Sequence, residues 1–272
     1  MLTETLFRLP RKPGIHILQQ RGDRGARELT TRRIQIPPGT TETLQVPGEE
    51  SVLVVQRGAA TLRAGGHTWD ASRADVFRDR ASAVYLPPGV TLEMTAVTEG
   101  AGSAGSQDPA YFEAVAFSAP AADGGEAAFV GPGEVQVMAR GRANYSREVH
   151  NIFVDDPHVR RLMVGETFNP PGNWSSYPPH KHDGRDGEPV LEEVYYYRIS
   201  PPQGFGQQML YTTDGESATH TVKDGDAVLL PYGYHPVSAP PGYKLYYLWA
   251  MAGVERKLAL HEDPAHTWLH KA

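Results

Sequence analysis

Short apolar runs, separated by turns that contain glycine or proline, follow one another along most of the chain. Two strand-like runs, 51–56 and 59–64, flank Gly58, and another at Ala83–Leu86 is followed by Pro-Pro-Gly. Short strands bounded by such turns are typical of antiparallel sandwiches and barrels, whereas helices between the strands would indicate a parallel sheet. The pattern therefore predicts an all-β fold.

The two halves of the chain resemble each other. Residues 83–89, AVYLPPG, match residues 227–233, AVLLPYG, and at a slightly different offset Glu50–Val55 resembles Glu193–Tyr197. A repeat of such a long period indicates a duplicated domain rather than a solenoid. We therefore predict two antiparallel β-sandwich or jelly-roll barrels that arose by internal duplication.

Low-complexity segments suggest where the two barrels meet. Residues 98–109 are polar and small and predict a loop, and residues 118–133, rich in Ala, Gly and Pro, resemble a linker. We place the boundary at the end of the second segment. The predicted domains are an N-terminal one at 1–135 and a C-terminal one at 136–272.

Composition limits the chemistry available to the chain. Its 272 residues contain no cysteine and carry a formal charge of -6. Disulfides and thiolate ligands are therefore excluded, so a metal must be held by His, Asp or Glu. The negative charge argues against a nucleic-acid partner. Pro10 and Pro13 interrupt any signal-peptide core, and no apolar run is long enough for a bilayer, which predicts a cytoplasmic protein without membrane association.

The segment Ser176–Tyr197 carries an alternating histidine pair. In an extended strand, His180 and His182 point to one face and Lys181 points to the other. Two imidazoles on one face converge readily on a metal ion. Surface loops also produce this pattern, so the pair alone does not establish a site.

A glutamate pair opens the strand that follows. By alternation Glu193 shares the inward face with Tyr195 and Tyr197, and Glu192 shares the other face. The competing interpretation places both glutamates on a solvated edge.

A further histidine follows a tight turn later in the chain. Pro231 and Gly233 predict a turn that returns the chain with His235. Three imidazoles and one carboxylate suit Zn, Mn, Fe(II), Co or Ni and leave coordination positions for substrate oxygens. In the first half, no His-x-His precedes Glu50 and Thr91 stands in the place of His235, so we expect the N-terminal domain to lack the metal.

These motifs resemble the two cupin motifs, although the gap from His182 to Glu193 is longer than usual and the gap from Pro231 to His235 is one residue shorter. More narrowly, three segments are similar to the 5-deoxy-glucuronate isomerase family of myo-inositol catabolism, which is related to the 4-deoxy-L-threo-5-hexosulose-uronate ketol-isomerases. They read NPPGNWSSYPPHKHD, LEEVYYYRISPPQGFGQQMLYT and VLLPYGYHPVSAPPGYKLYYLWAM.

The resemblance implies a bicupin whose C-terminal cupin binds one divalent metal ion through His180, His182, Glu193 and His235, with Zn or Mn expected first. It also implies an enzyme that converts 5-deoxy-D-glucuronate to 5-dehydro-2-deoxy-D-gluconate. Such an aldose–ketose isomerisation needs a base within hydrogen-bond reach of the C2 proton. Glu193 is the first candidate, with Tyr195 or Tyr211 as proton relays.

The substrate carboxylate needs a cation away from the metal. Arg142 and Arg161 are our candidates, although most arginines in such positions are solvated surface residues. Tyr197 and Tyr246 are candidates for the pocket lining, and their placement in the barrel core is an equally good interpretation.

Other functions fit a similar ligand set. An Fe(II) cupin dioxygenase would use three histidines and a glutamate and consume oxygen. A non-catalytic sugar-binding cupin of the regulatory kind usually carries a helix-turn-helix, and the sequence has no such pattern. A structural bicupin would not need the ligands. The expected partner is a small uronate, and a homo-oligomer is compatible with the sequence.

Overall fold

The computed structural model describes residues 1–98 and 111–271, so the predicted loop at 98–109 lies outside the described residues except for Thr98. Within them the chain forms 22 β-strands and three short 3₁₀ helices, at Leu2–Glu4, Ala143–Tyr145 and Pro264–His270. Over the same residues, no helix is long and apolar enough to cross a membrane. The all-β prediction is confirmed.

The strands fall into two successive series along the chain. The first series is β1 Leu6–Phe7, β2 Gly14–Gln19, β3 Thr30–Ile36, β4 Thr41–Leu44, β5 Glu49–Ala64, β6 His67–Arg73, β7 Ala83–Leu86, β8 Leu92–Ala96, β9 Phe112–Pro120, β10 Ala128–Val130 and β11 Gln136–Arg140. The second series is β12 Arg147–Phe153, β13 Leu162–Asn169, β14 Trp174–Ser175, β15 His180–Lys181, β16 Glu192–Ser200, β17 Gly206–Tyr211, β18 Ser217–Val222, β19 Ala227–Leu230, β20 Val237–Ser238, β21 Lys244–Ala252 and β22 His261–Glu262.

Each half contains a large sheet that packs against a smaller one. The large sheets run β10-β7-β5-β9-β3-β2 in the N-terminal half and β1-β19-β16-β21-β13-β12-β11 in the C-terminal half. The smaller sheets use β4, β8, the end of β5 and β6 in one half, and β14-β20-β17-β18 in the other. Strands in equivalent places therefore follow the same order in both halves. β1, although it lies near the start of the chain, pairs with β19 and so belongs to the sheet of the C-terminal half.

Two details differ from the sequence prediction. The runs 51–56 and 59–64 form one continuous strand, β5, which bends at Gly58 and passes from the large sheet to the small one. Gly58 has φ +88° and lies so close to Tyr111 that a Cβ would approach its carbonyl oxygen to 2.7 Å, so only glycine fits. Part of the predicted linker is also strand, because Ala128–Val130 pairs with β7.

The pairing registers correct our alignment of the halves. Ser51 lies opposite Leu86, and Glu193 lies opposite Leu230, the residue that matches Leu86. Ser51 therefore occupies the place of Glu193, and the equivalent of Glu50 is Glu192. A shift of one residue reverses the face to which a strand residue points. Our alignment therefore gave Glu50 the inward place that belongs to Ser51, and the prediction that Glu193 faces inward is unaffected.

Apolar side chains form three clusters. One fills the interior of the N-terminal half, around Leu53 and Phe112, and one fills the interior of the C-terminal half, around Leu210 and Tyr197. The third lies between the halves and contains side chains from both, among them Phe117 and Leu248. The two halves are thus joined by a shared hydrophobic core.

Two buried glutamates connect the halves across this core. The Glu50 carboxylate accepts hydrogen bonds from the backbone N–H groups of 160–162 at 2.7–2.9 Å and from the Tyr85 hydroxyl at 3.1 Å. The Glu192 carboxylate accepts the backbone N–H groups of 27–29, those of Glu28 and Leu29 at 3.1 and 2.8 Å. Equivalent residues therefore make equivalent contacts to the opposite half, each at the segment that leads into β13 or β3.

We expect Glu50→Gln to lower the free energy of unfolding by about 2–4 kcal/mol, because the amide gives up the negative charge that buried N–H donors surround. Unfolding in urea measures this. Glu126→Gln, an exposed change of the same kind, is the control and should alter stability by less than about 0.5 kcal/mol. Equal effects in the two variants would contradict the structural role of Glu50.

Candidate metal centre

Three short elements bring the predicted ligands together. His180 lies in β15 and His182 directly follows it, Glu193 lies in β16, and His235 follows the turn after β19. The predicted alternation along β16 is confirmed, because Tyr195 and Tyr197 pack inside the C-terminal half while Val194 and Tyr196 pack between the halves. Both glutamates of the pair are buried, so the interpretation as a solvated edge is wrong.

The side chains converge on one point inside the C-terminal half. Glu193 Oε2 lies 3.0 Å from His182 Nε2 and 3.4 Å from His235 Nε2. One candidate ligand atom from each of these three residues lies within 4.8 Å of the others. The His180 ring stands edge-on to the His235 ring, with 4.9 Å between centroids. All four side chains are at most 9% exposed.

Backbone carbonyl groups orient the imidazole rings. His182 Nδ1 hydrogen-bonds the Leu191 carbonyl oxygen at 2.7 Å, and His235 Nδ1 hydrogen-bonds that of Gly233 at 3.0 Å. Such bonds place the proton on Nδ1 and leave Nε2 as the ligand atom. His235 Nε2 is buried without a hydrogen-bond partner in the described structure. A buried, unpartnered nitrogen beside a carboxylate oxygen fits a bound cation.

Burial also sets the protonation of the ligands. Desolvation, with the neighbouring His182 and Arg147, lowers the pKa of His180 to about 3, and desolvation keeps the pKa of His235 well below its usual value. Desolvation raises the pKa of Glu193, against the effect of its hydrogen bond to His182. His180 and His235 are therefore neutral at pH 7, which is the form that binds metals. Against desolvation, the hydrogen bond to Glu193 raises the pKa of His182.

The loop inserted between the ligand strands is folded around Lys181. Its ammonium group lies 2.8 Å from Asp183 and 2.9 Å from Asp186, and it also contacts Glu188. The other oxygen of Asp183 accepts the N–H of Gly233 at 3.0 Å. Lys181 points away from its histidine neighbours, as predicted, and its partners connect the histidine strand to the turn that carries His235.

The C-terminal tail pairs with β15, the short strand that carries His180. β22 pairs with β15, so that His180 lies opposite Glu262. Asp263 then accepts a hydrogen bond of 2.6 Å from the Tyr211 hydroxyl. Tyr211, a predicted proton relay, thus contacts the tail and is not among the described residues that line the cleft beside the ligands.

A cleft of about 340 Å³ opens beside the ligand cluster and reaches His180 and Glu193. The Tyr195 hydroxyl lies in it, 2.9 Å from Ser176 Oγ. Desolvation and the charge of Glu193 hold the pKa of Tyr195 well above its usual range, so this hydroxyl stays protonated. Tyr195 thus lines the cleft beside the predicted ligands, and its role as a proton relay stays a prediction.

The predicted carboxylate-binding arginines lie elsewhere. Arg161 pairs with Glu28 in the other half. Arg142 is exposed, donates to the Tyr145 hydroxyl at 2.8 Å and also contacts the Leu269 carbonyl oxygen. Neither belongs to the described lining of the cleft.

The two remaining tyrosines belong to apolar cores, as the alternative interpretation had it. Tyr246 lies between the halves, where its hydroxyl donates to Glu166 at 2.6 Å. Tyr197 lies inside the C-terminal half and donates to Gln208. Both are fully buried, and the cleft does not include them among its described residues.

Sequence analysis missed the arginines that do line the cleft, Arg140 and Arg147. The available signal was the hairpin RGRANYSR, in which Gly141 has φ +72°. Recognising this turn would have paired the two arginines across neighbouring strands.

Two barrels of antiparallel sheet, one with an inward-facing cluster of histidines and a carboxylate, define a bicupin, so the predicted fold class is confirmed. A mutant of Bacillus subtilis oxalate decarboxylase shares this fold, with TM-score 0.63 and 12% identity over 96% of this chain and 80% of that one. The KduI/IolB family model matches residues 10–269, and the chain belongs to this family.

Two proteins illustrate the family relationship. The 5-deoxy-glucuronate isomerase of Geobacillus kaustophilus (strain HTA426) is 40% identical over 237 residues, which are 85% of this chain and 82% of that protein. An IolB-like protein from Salmonella typhimurium LT2, known from its crystal structure, is 32% identical. It superposes with TM-score 0.88 over 98% of this chain and 100% of that chain.

We expect purified protein to contain one divalent ion per chain and His235→Ala to lose it. The affinity for the ion should fall by at least about 100-fold, because loss of a ligand costs more than loss of a residue that only orients a ligand. Elemental analysis after dialysis measures this. His67→Ala, an exposed histidine of the N-terminal half, is the control and should keep the ion. Retention of the ion by His235→Ala would show that the cluster is not the metal centre.

Proposed function

We propose that this protein isomerises 5-deoxy-D-glucuronate to 5-dehydro-2-deoxy-D-gluconate, as a step of myo-inositol catabolism. The observation that carries the proposal is the buried cluster of His180, His182, Glu193 and His235, of which His180 and Glu193 line the cleft. Relatives that are 35–40% identical over most of the chain bear the name 5-deoxy-glucuronate isomerase.

The four side chains would hold one divalent ion, with Zn or Mn the first expectation. When bound, such an ion would supply Lewis acidity toward the oxygens of an open-chain aldose. The donor set of imidazoles and a carboxylate suits such ions, and all four donors are buried.

Protein groups must move the protons. The reaction removes the proton from C2, adds a proton to C1 and shifts the hydroxyl proton from O2 to O1. Glu193 is the proposed base for the two carbon sites because its carboxylate lines the cleft and lies beside the histidines of the proposed ligand set. We assign the transfer of the proton between the oxygens to the hydroxyls of Tyr195 and Ser176, and their separation of 2.9 Å supports this assignment.

Isomerisation through an enediol can be tested directly. In D₂O we expect the ketose product to carry up to one deuterium at the former aldehyde carbon, which is C1 of the substrate and C6 of the product, because the proton held by the base exchanges with solvent. A hydride shift would give no deuterium there. NMR of the product measures the isotope, and oxygen uptake recorded alongside tests the Fe(II) dioxygenase alternative.

The role of Glu193 predicts that Glu193→Gln lowers kcat by about 10²- to 10⁴-fold, the usual contribution of a positioned base. Metal content must be measured in the same sample, because Glu193 is also a proposed ligand. Glu126→Gln, exposed in the other half, should retain wild-type kcat. Full activity of Glu193→Gln, or of wild-type protein after exhaustive chelation, would overturn the mechanism.

A further inference from the structure

Two arginines stand opposite each other at the cleft. Arg140 on β11 pairs directly with Arg147 on β12, so their side chains share one face of the sheet. The same face presents Met138 and Val149 to the cleft. Alternation along two strands thus directs both guanidinium groups to the space that also contains His180 and Glu193.

This pair carries two like charges without a counter-charge. Directly opposite like charges destabilise a sheet. In the described parts of the chain, no carboxylate oxygen lies within 4.0 Å of either guanidinium group, so neither arginine forms an ion pair. Arg73, Arg161 and Arg198, by contrast, each have a carboxylate partner. Glu262, also at the cleft, has its carboxylate against His270 Nε2 at 2.5 Å.

Backbone contacts hold Arg147 in place. Its Nη1 donates to the carbonyl oxygens of Tyr177 at 2.9 Å and Tyr145 at 3.2 Å. Tyr177 stands three residues before His180, so this bond ties the guanidinium group to the histidine segment. The hydrogen bonds recorded for Arg147 all use Nη1, which leaves its remaining N–H groups for a ligand.

We propose that Arg140 and Arg147 bind the carboxylate of the substrate, so that the other end of the six-carbon chain reaches Glu193. The assignment rests on the proposed function. A guanidinium group matches a carboxylate with two parallel hydrogen bonds, and a second one adds charge and further donors. The pair would select a uronate over a neutral sugar and place C1 and C2, rather than C6, at the metal centre.

The experiment compares two substrates in four proteins. The substrates are 5-deoxy-D-glucuronate and the neutral aldose with a hydroxymethyl group in place of the carboxylate. The proteins are wild type, Arg140→Met, Arg147→Met and Arg142→Met, all with metal content and circular dichroism checked. Arg142→Met is the matched control, since it removes the same charge from the same hairpin outside the cleft.

We expect each cleft variant to raise KM for the uronate by about 10- to 100-fold, the effect of losing a charge-assisted hydrogen-bonded contact. The KM for the neutral aldose should stay within about twofold, and Arg142→Met should resemble wild type with both substrates. Arg147→Lys should recover part of the loss. Because Arg140 is exposed, its variant remains informative even if Arg147→Met folds poorly.

The outcomes separate the two proposals. If the wild-type enzyme isomerises the uronate but the cleft variants change KM equally for both substrates, the arginine assignment is overturned. The proposed isomerase function is then unaffected. The same holds if Arg142→Met loses the uronate preference as strongly as the cleft variants do. A metal-loaded wild-type protein that does not turn over the uronate would overturn the proposed function and the carboxylate assignment together.

Discussion

The arrangement of the molecule depends on buried carboxylates that accept backbone N–H groups from the opposite half. Glu50 and Glu192 each accept three such groups at the segment that leads into the other half's sheet. A carboxylate removed from water is stable only with such compensation. These contacts therefore favour a single relative position of the two barrels. They also fix the position of the start of β16, from which Glu193 reaches the candidate metal centre.

Adjacent residues of β16 consequently serve two purposes. Strand alternation sends Glu192 to the junction between the halves and Glu193 to the interior. In the N-terminal half the same register keeps the junction glutamate, Glu50, but places Ser51 where Glu193 would be and Thr91 where His235 would be. The repeated part of the architecture is the one that joins the barrels. In the described parts of the chain, the buried cluster of candidate metal donors lies in the C-terminal barrel.

Much of this was predictable from local sequence. Strand periodicity, the spacing of His180 and His182 and the turn before His235 depend on short-range geometry, and the prediction of an all-β fold with converging ligands followed from them. The role of Glu192 depends on N–H groups more than 160 residues away, which no local pattern encodes. An aromatic strand residue has the same periodicity on either face, so the sequence left the cleft and the core equally open for Tyr246. Arg140 and Arg147 meet only through the register of a hairpin.

The strand that carries His180, β15, depends on contacts that the spacing of the ligands in the sequence does not reveal. β15 has only two residues, and a strand so short has little intrinsic stability. Here β22 pairs with one edge, and Lys181 with its carboxylates fixes the loop that follows. Asp183 belongs to that loop and also holds Gly233, two residues before His235. The residues between the ligands thus set the ligand geometry, so the long insertion that departs from the usual cupin spacing acts as a support for the centre.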